Sequence, residues 1–97
     1  MTDVFLKECK ECSKIYRAIN HKLRQKILFA IYSSEKTVTE LYTALKTEQS
    51  VMSIQLKILA TAGWVRRRKQ GKEVFYQLNK ETVERLQKVN SVLKQIA

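Results

Sequence analysis

Three groups of side chains in this 97-residue sequence have types and spacings that could do chemistry. The densest is cationic: Arg66, Arg67, Arg68, Lys69 and Lys72 fall within seven positions, with Gln70 among them. Such a cluster repels itself unless an anion is nearby, and a polyanion is the natural one. Arginine and lysine at a loop tip can enter a narrow minor groove or hold phosphates. The competing reading is edge protection, because cations on an edge strand prevent sheets from pairing. That accounts for one or two charges more easily than for five.

The second group is mostly polar, Gln49, Ser50, Ser53, Gln55 and Lys57, with Val51 and Ile54 interleaved. Glutamine can pair bidentately with adenine, serine can pair with several bases, and Ile54 could touch a thymine methyl. Lys57 suits a phosphate better. A small polar residue on a helix ordinarily just faces water. What gives these residues meaning is their place at the start of a helix, where side chains reach base edges in the major groove. No arginine stands on this face, so much of the affinity is expected from phosphates and DNA shape.

The third group is Cys9 and Cys12, a C-x-x-C, with His21 downstream. Zinc needs about four ligands, and there is no second cysteine pair to complete a set. Glu8, Glu11 and His21 could contribute, and a dimer could bring two pairs together. However, Phe5, Cys9, Cys12, Tyr16 and Ile19 are spaced 4, 3, 4 and 3 apart, the seam of an amphipathic helix. Buried thiols in such a seam behave as small apolar groups. Oxidation of Cys9 and Cys12, shifting a dimer, is the alternative. His21 has no evident partner and reads as a helix-start residue. No nucleophile elbow, phosphate-cradling glycine loop or paired carboxylates in an apolar setting occur, so neither an enzyme nor a cofactor is expected.

The elements that must position these groups follow from periodicity. A helix is predicted over 3–19, and a second over about 21–33 with Asn20 as N-cap and Leu23, Ile27, Leu28 and Ile31 inward. Thr37 and Glu40 form a capping box that opens a short helix through Leu45. Lys46, Thr47 and Glu48 then separate it from a helix over 49–62 that stops at Gly63. Met52, Leu56 and Leu59 form the inward stripe of that helix, widened by Val51, Ile58 and Ala62. Two helices joined by three residues are a helix-turn-helix. After Gly63 the period changes to two, giving a hairpin over 64–78 with a turn at 69–72. Trp64 is expected to anchor that hairpin to the core. A last helix over 81–96 carries Val83, Leu86, Val89, Val92, Leu93 and Ile96. The order α-α-α-α-β-β-α, mainly α with one small hairpin, is a winged helix-turn-helix.

Composition bounds the rest. Lys and Arg number 19 against 9 Asp and Glu, a net charge of +10. Residues 49–80 hold seven basic side chains and one acidic, so the excess is local. Apolar residues make up 44%, too many for a disordered basic tail. Single-domain length over 1–97 implies a thin core and favours a second subunit, with helices 1–19 and 81–97 as the dimerisation elements. No apolar run is long enough to span a membrane, and residues 1–10 lack a signal h-region. With two cysteines, a reducing cytoplasm is expected.

The segments Ile19–Leu28, Ser50–Leu59, Ala62–Val65 and the basic hairpin from Arg66 to Leu78 together resemble the ArsR family of winged-helix repressors. The resemblance covers about residues 19–78. It implies a homodimeric repressor that leaves its operator when an unidentified inducer binds, with the first and last helices as the dimer interface. Phe5, Cys9, Cys12, Tyr16, Ile19, Val83, Leu86, Val89, Leu93 and Ile96 would line it. Double-stranded DNA with an imperfect palindrome would be the partner. The chain departs from the family at Lys22, where many members have proline. It departs again at Thr37 and Thr39, where metal sensors carry Cys-x-Cys, and hydroxyls are not soft thiolate ligands. The last helix also lacks histidine, so neither family metal site is expected. Two other readings compete: a winged-helix module binding an acidic protein, and an RNA-binding domain, the latter disfavoured without a stacking platform on a sheet.

Overall fold

A computed structural model describes residues 2–96, with the side chains of residues 7, 10–91 and 95. The chain forms α1 (Thr2–Ala18), α2 (Lys22–Ile31), β1 (Lys36–Thr37), α3 (Val38–Ala44), α4 (Gln49–Thr61), β2 (Val65–Gln70), β3 (Glu73–Leu78) and α5 (Lys80–Ile96). The core draws on every helix and on the root of the hairpin: Cys12, Ile15, Ala18, Ile27, Ile31, Leu41, Met52, Leu56, Leu59, Trp64, Val65, Tyr76 and Leu86.

Local rules account for most boundaries. Thr37 caps α3 through a complete capping box, its Oγ1 accepting from the Glu40 amide while its own amide donates to the Glu40 carboxylate. The Thr37 amide and then its hydroxyl, both donating to the Glu40 carboxylate, hold that carboxyl below the ordinary carboxylate range, with Lys36 adding a little. Gly63 ends α4 at φ 91°, a left-handed conformation that suits glycine. Trp64 anchors the hairpin as expected, its Nε1 donating to the Ile15 carbonyl of α1 at 2.6 Å.

Other boundaries differ from the sequence reading. The N-cap of α2 is His21 rather than Asn20, and the helix ends at Ile31. His21 is extended and its Nδ1 accepts from the Leu23 amide, whereas the Asn20 amide donates back to Arg17 and closes α1. The hairpin turn is tighter than 69–72. Lys69 and Gln70 pair with Val74 and Glu73, leaving a two-residue Gly71-Lys72 turn with Gly71 at φ 61°. The sheet has a third strand, β1, beyond the two of the hairpin. It pairs antiparallel with β3 in the order β1-β3-β2, with Thr37 opposite Phe75. Two residues carry no periodicity from which a strand could be read.

The terminal helices also differ in detail. On α1 the core-facing line is Cys12, Ile15 and Ala18, while Tyr16 is 42% exposed. On α5 the side chain of Thr82 is buried and its hydroxyl donates to the Gly63 carbonyl, tying α5 to the corner between α4 and β2. The whole chain is elongated, 45 × 26 × 21 Å, with a radius of gyration of 15.1 Å. A compact chain of this length would be nearer about 12.5 Å.

Candidate nucleic-acid interface

The helix-turn-helix is built by α3 and α4. Its turn contains no glycine; the sharp position is Lys46, at φ 54°. Met52, Leu56 and Leu59 are completely buried and fix the rotation of α4 about its axis. The opposite face then points outward by geometry, with Gln49, Ser50, Ser53 and Lys57 exposed. Ile54 is 58% exposed, and Val51, which was expected to widen the inward stripe, also lies outside. An exposed isoleucine between polar neighbours fits contact with a thymine methyl. Glu48 precedes the helix without a side-chain cap, so its first amides are not occupied by that residue.

Gln55 stands apart from this group. It is half-buried, and its Oε1 accepts from Arg24 Nε at 2.8 Å. Arg24 also donates to the Ala18 carbonyl at 3.0 Å. Gln55 therefore braces α4 against α2 and the end of α1, and its acceptor is already engaged. Spacing along α4 could not reveal this, because the partner lies 31 positions away.

The hairpin divides its cations between two faces. Arg67 pairs with Tyr76 and Lys69 with Val74, on the face that continues the core outward. Arg66 and Arg68 lie on the other face, opposite Gln77 and Phe75. Both have carboxylate partners. Arg66 meets Glu81 of α5 at 2.8 Å, and Arg68 meets Glu35, from the loop before β1, at 2.5 Å. Arg68 also lies over the Phe75 ring, 4.6 Å from its centroid. The Glu35 hydrogen bonds hold the Arg68 guanidinium above its ordinary pKa. Among the described residues, no carboxylate pairs with Arg67, Lys69, Lys72 or Lys57. The expectation of five mutually repelling cations is thus corrected: two of the five are compensated within the chain.

The helix and the wing meet. Gln49 and Ser53 of α4 line one groove with Lys72, Glu73, Val74 and Phe75 of the wing, with Thr37 at the end of β1 and with Val38 to Glu40 of α3. The Glu40 carboxylate in that groove is engaged by Thr37.

Of the residues expected at a dimer interface, Cys12 and Leu86 are only 4% and 6% exposed within one chain. They belong to the protomer core and have little surface left to give a partner. A thiol so enclosed is not readily reactive. Ile19, Val83 and Val89 are half-buried at the edge of the core, and Tyr16 is outside it. The side chains of Phe5, Cys9, Leu93 and Ile96 lie outside the described residues. Among the described residues, no three His, Cys, Asp or Glu side chains gather as metal ligands, and no helix is long and apolar enough to cross a membrane.

Comparison with known proteins agrees with this geometry. The family model for bacterial regulatory proteins of the arsR family matches residues 21–67. A biofilm growth-associated repressor of Agrobacterium fabrum is 30% identical over 80 residues, covering 82% of this chain and 68% of that protein. The HTH-type transcriptional repressor SmtB of Mycobacterium tuberculosis is 37% identical over 65 residues, covering 67% of this chain. This chain spans only about half of that repressor, 48% of its length. In three dimensions the fold matches the homodimeric winged helix-turn-helix DNA-binding domain of Mb0332 from Mycobacterium bovis. The TM-score is 0.74 at 24% identity, covering 90% of this chain and 81% of that one. The chain belongs to the ArsR family of bacterial regulatory proteins.

Proposed function

We propose that this protein is a homodimeric, sequence-specific double-stranded DNA-binding transcriptional repressor. One observation carries the reading: the exposed start of α4 and the wing-tip Lys72 share a groove, so one duplex can engage both elements. Gln49, Ser50, Val51, Ser53 and Ile54 meet base edges in the major groove, and Lys57 meets a phosphate. Arg67, Lys69 and Lys72 hold the backbone beside it. The relatives' names as repressors and their shared family support the same role.

The second subunit packs on α1 and α5 through Tyr16, Ile19, Val83 and Val89, with Phe5, Cys9, Leu93 and Ile96 extending the seam. The elongated protomer and the homodimeric state of the Mb0332 domain support this. Two copies of α4 about a two-fold axis would enter major grooves ~34–36 Å apart, so the operator is an imperfect palindrome. An unidentified inducer releases the complex. The deciding experiment is a gel shift at several salt concentrations with a palindromic duplex, an unrelated duplex and single-stranded RNA. Preference for the palindrome, weakening as salt rises, is the expected result; equal binding to all three would overturn the reading.

A further inference from the structure

The two compensated wing arginines are held very differently. Arg66 makes one contact, and its partner Glu81 is largely exposed, so that pair resembles an ordinary surface ion pair. Arg68 has all three guanidinium nitrogens engaged. Nε and Nη2 donate to the two carboxylate oxygens of Glu35, and Nη1 donates to Gln70 Oε1 at 2.7 Å. The plane rests on Phe75. Fork-on-carboxylate geometry is the strong form of this pairing. Arg68 spans β3 to reach Glu35, since the strand order is β1-β3-β2 and Glu35 immediately precedes β1. The neighbouring cations Arg67 and Lys69 point to the opposite face.

We propose that Glu35 sets the selectivity of the wing by withholding Arg68 from DNA phosphates, so that Arg67 and Lys69, with the weakly paired Arg66, supply the wing strands' backbone contacts. The proposal rests on the DNA-binding reading above. A guanidinium already neutralised by a fixed carboxylate displaces no counterion when DNA arrives. It adds nothing to sequence-independent affinity. With fewer such contacts, discrimination depends more on what α4 reads in the major groove. Glu35 is therefore a positioning residue: it acts on DNA only through Arg68.

The test is the slope of log K against log salt on a mixed-sequence duplex of about three helical turns, for the native chain, E35Q, R68Q and E35Q/R68Q. E35Q should steepen the slope by about 0.9 per protomer as Arg68 becomes free for a phosphate. It should also narrow the affinity gap between operator-like and unrelated duplexes. R68Q alone should leave the native slope unchanged, and the double substitution should return the slope to the native value. Flattening by R68Q alone would overturn the proposal, because Arg68 would then already serve a phosphate. An E35Q slope equal to the native one would overturn it as well. If E35Q does not fold, Glu35→Ala removes the carboxylate in its place and is read in the same way. A native chain showing no salt-dependent duplex binding would instead overturn the DNA-binding reading beneath it.

Discussion

The helix α4 and the wing stand side by side and are held in place by different means. The orientation of α4 comes from its own inward stripe, three side chains with no exposed surface, and its outward polar face follows automatically. The wing has two buried residues at its root, Val65 and Tyr76, beside Trp64, with Val74 and Leu78 half-buried against the core. Beyond that root it is steadied by contacts to distant segments: Trp64 to α1, Arg66 to α5, and Arg68 to the loop before β1. Helical periodicity aims side chains by backbone geometry alone. A two-stranded hairpin is marginal by itself and must borrow rigidity from its surroundings.

Substitutions at each element should break this contrast in different ways. Leu56→Ala removes a fully buried side chain from the α4 stripe and should cost about 2–5 kcal/mol in urea unfolding, loosening the polar face with it. Trp64→Phe keeps an aromatic ring but loses the indole N–H, strands the buried Ile15 carbonyl, and should cost about 1–3 kcal/mol. If the wing borrows its rigidity, amide exchange in this variant should quicken in β2 and β3 more than in α4. Exchange quickened equally in all three would contradict the contrast.

Binding separates the two faces of the wing. Replacing Arg67 and Lys69 with Gln together should flatten the salt slope by about 1.8 per protomer while leaving the melting temperature nearly unchanged. Smaller effects come from the turns that deliver both elements. Thr37→Ala should cost about 0.5–2 kcal/mol by opening the α3 cap. The Glu40 carboxyl is held below its ordinary range. Its contribution is therefore present above the unfolded value of 4.5 and disappears as pH falls through the lowered native value. Glu40→Gln should remove that part of the acid dependence, read from melting temperature against pH. The smallest change is a gain. Lys46→Gly relieves a left-handed non-glycine residue and should stabilise the helix-turn-helix by about 0.5–1 kcal/mol, offset in part by the greater freedom of glycine in the unfolded chain.

Local patterns were legible in the residues alone. The capping box at Thr37 and Glu40, the stripe Met52-Leu56-Leu59, the stop at Gly63 and the period-two hairpin each lie within a few positions of their partners. Neighbouring residues are thus enough to specify them. The same holds for the side chains of α4, whose outward direction follows once the stripe is known. The N-cap of α2 is not decided by local sequence, because Asn20 and His21 can both cap. The choice fell to Asn20's use in closing α1.

The residues alone specify the five helices and the hairpin in their order, the polar face of α4 and the concentration of charge on that hairpin. All three depend on composition and on spacings of two to four residues. Which of those charges stand free depends on how the elements pack. Glu35 meets Arg68 from 33 positions away, Arg24 meets Gln55 from 31, and β1 exists only because β3 returns beside it. Pairings at that distance are set by how the elements pack. The +10 of the chain therefore acts through fewer cations than a reading of the sequence would count.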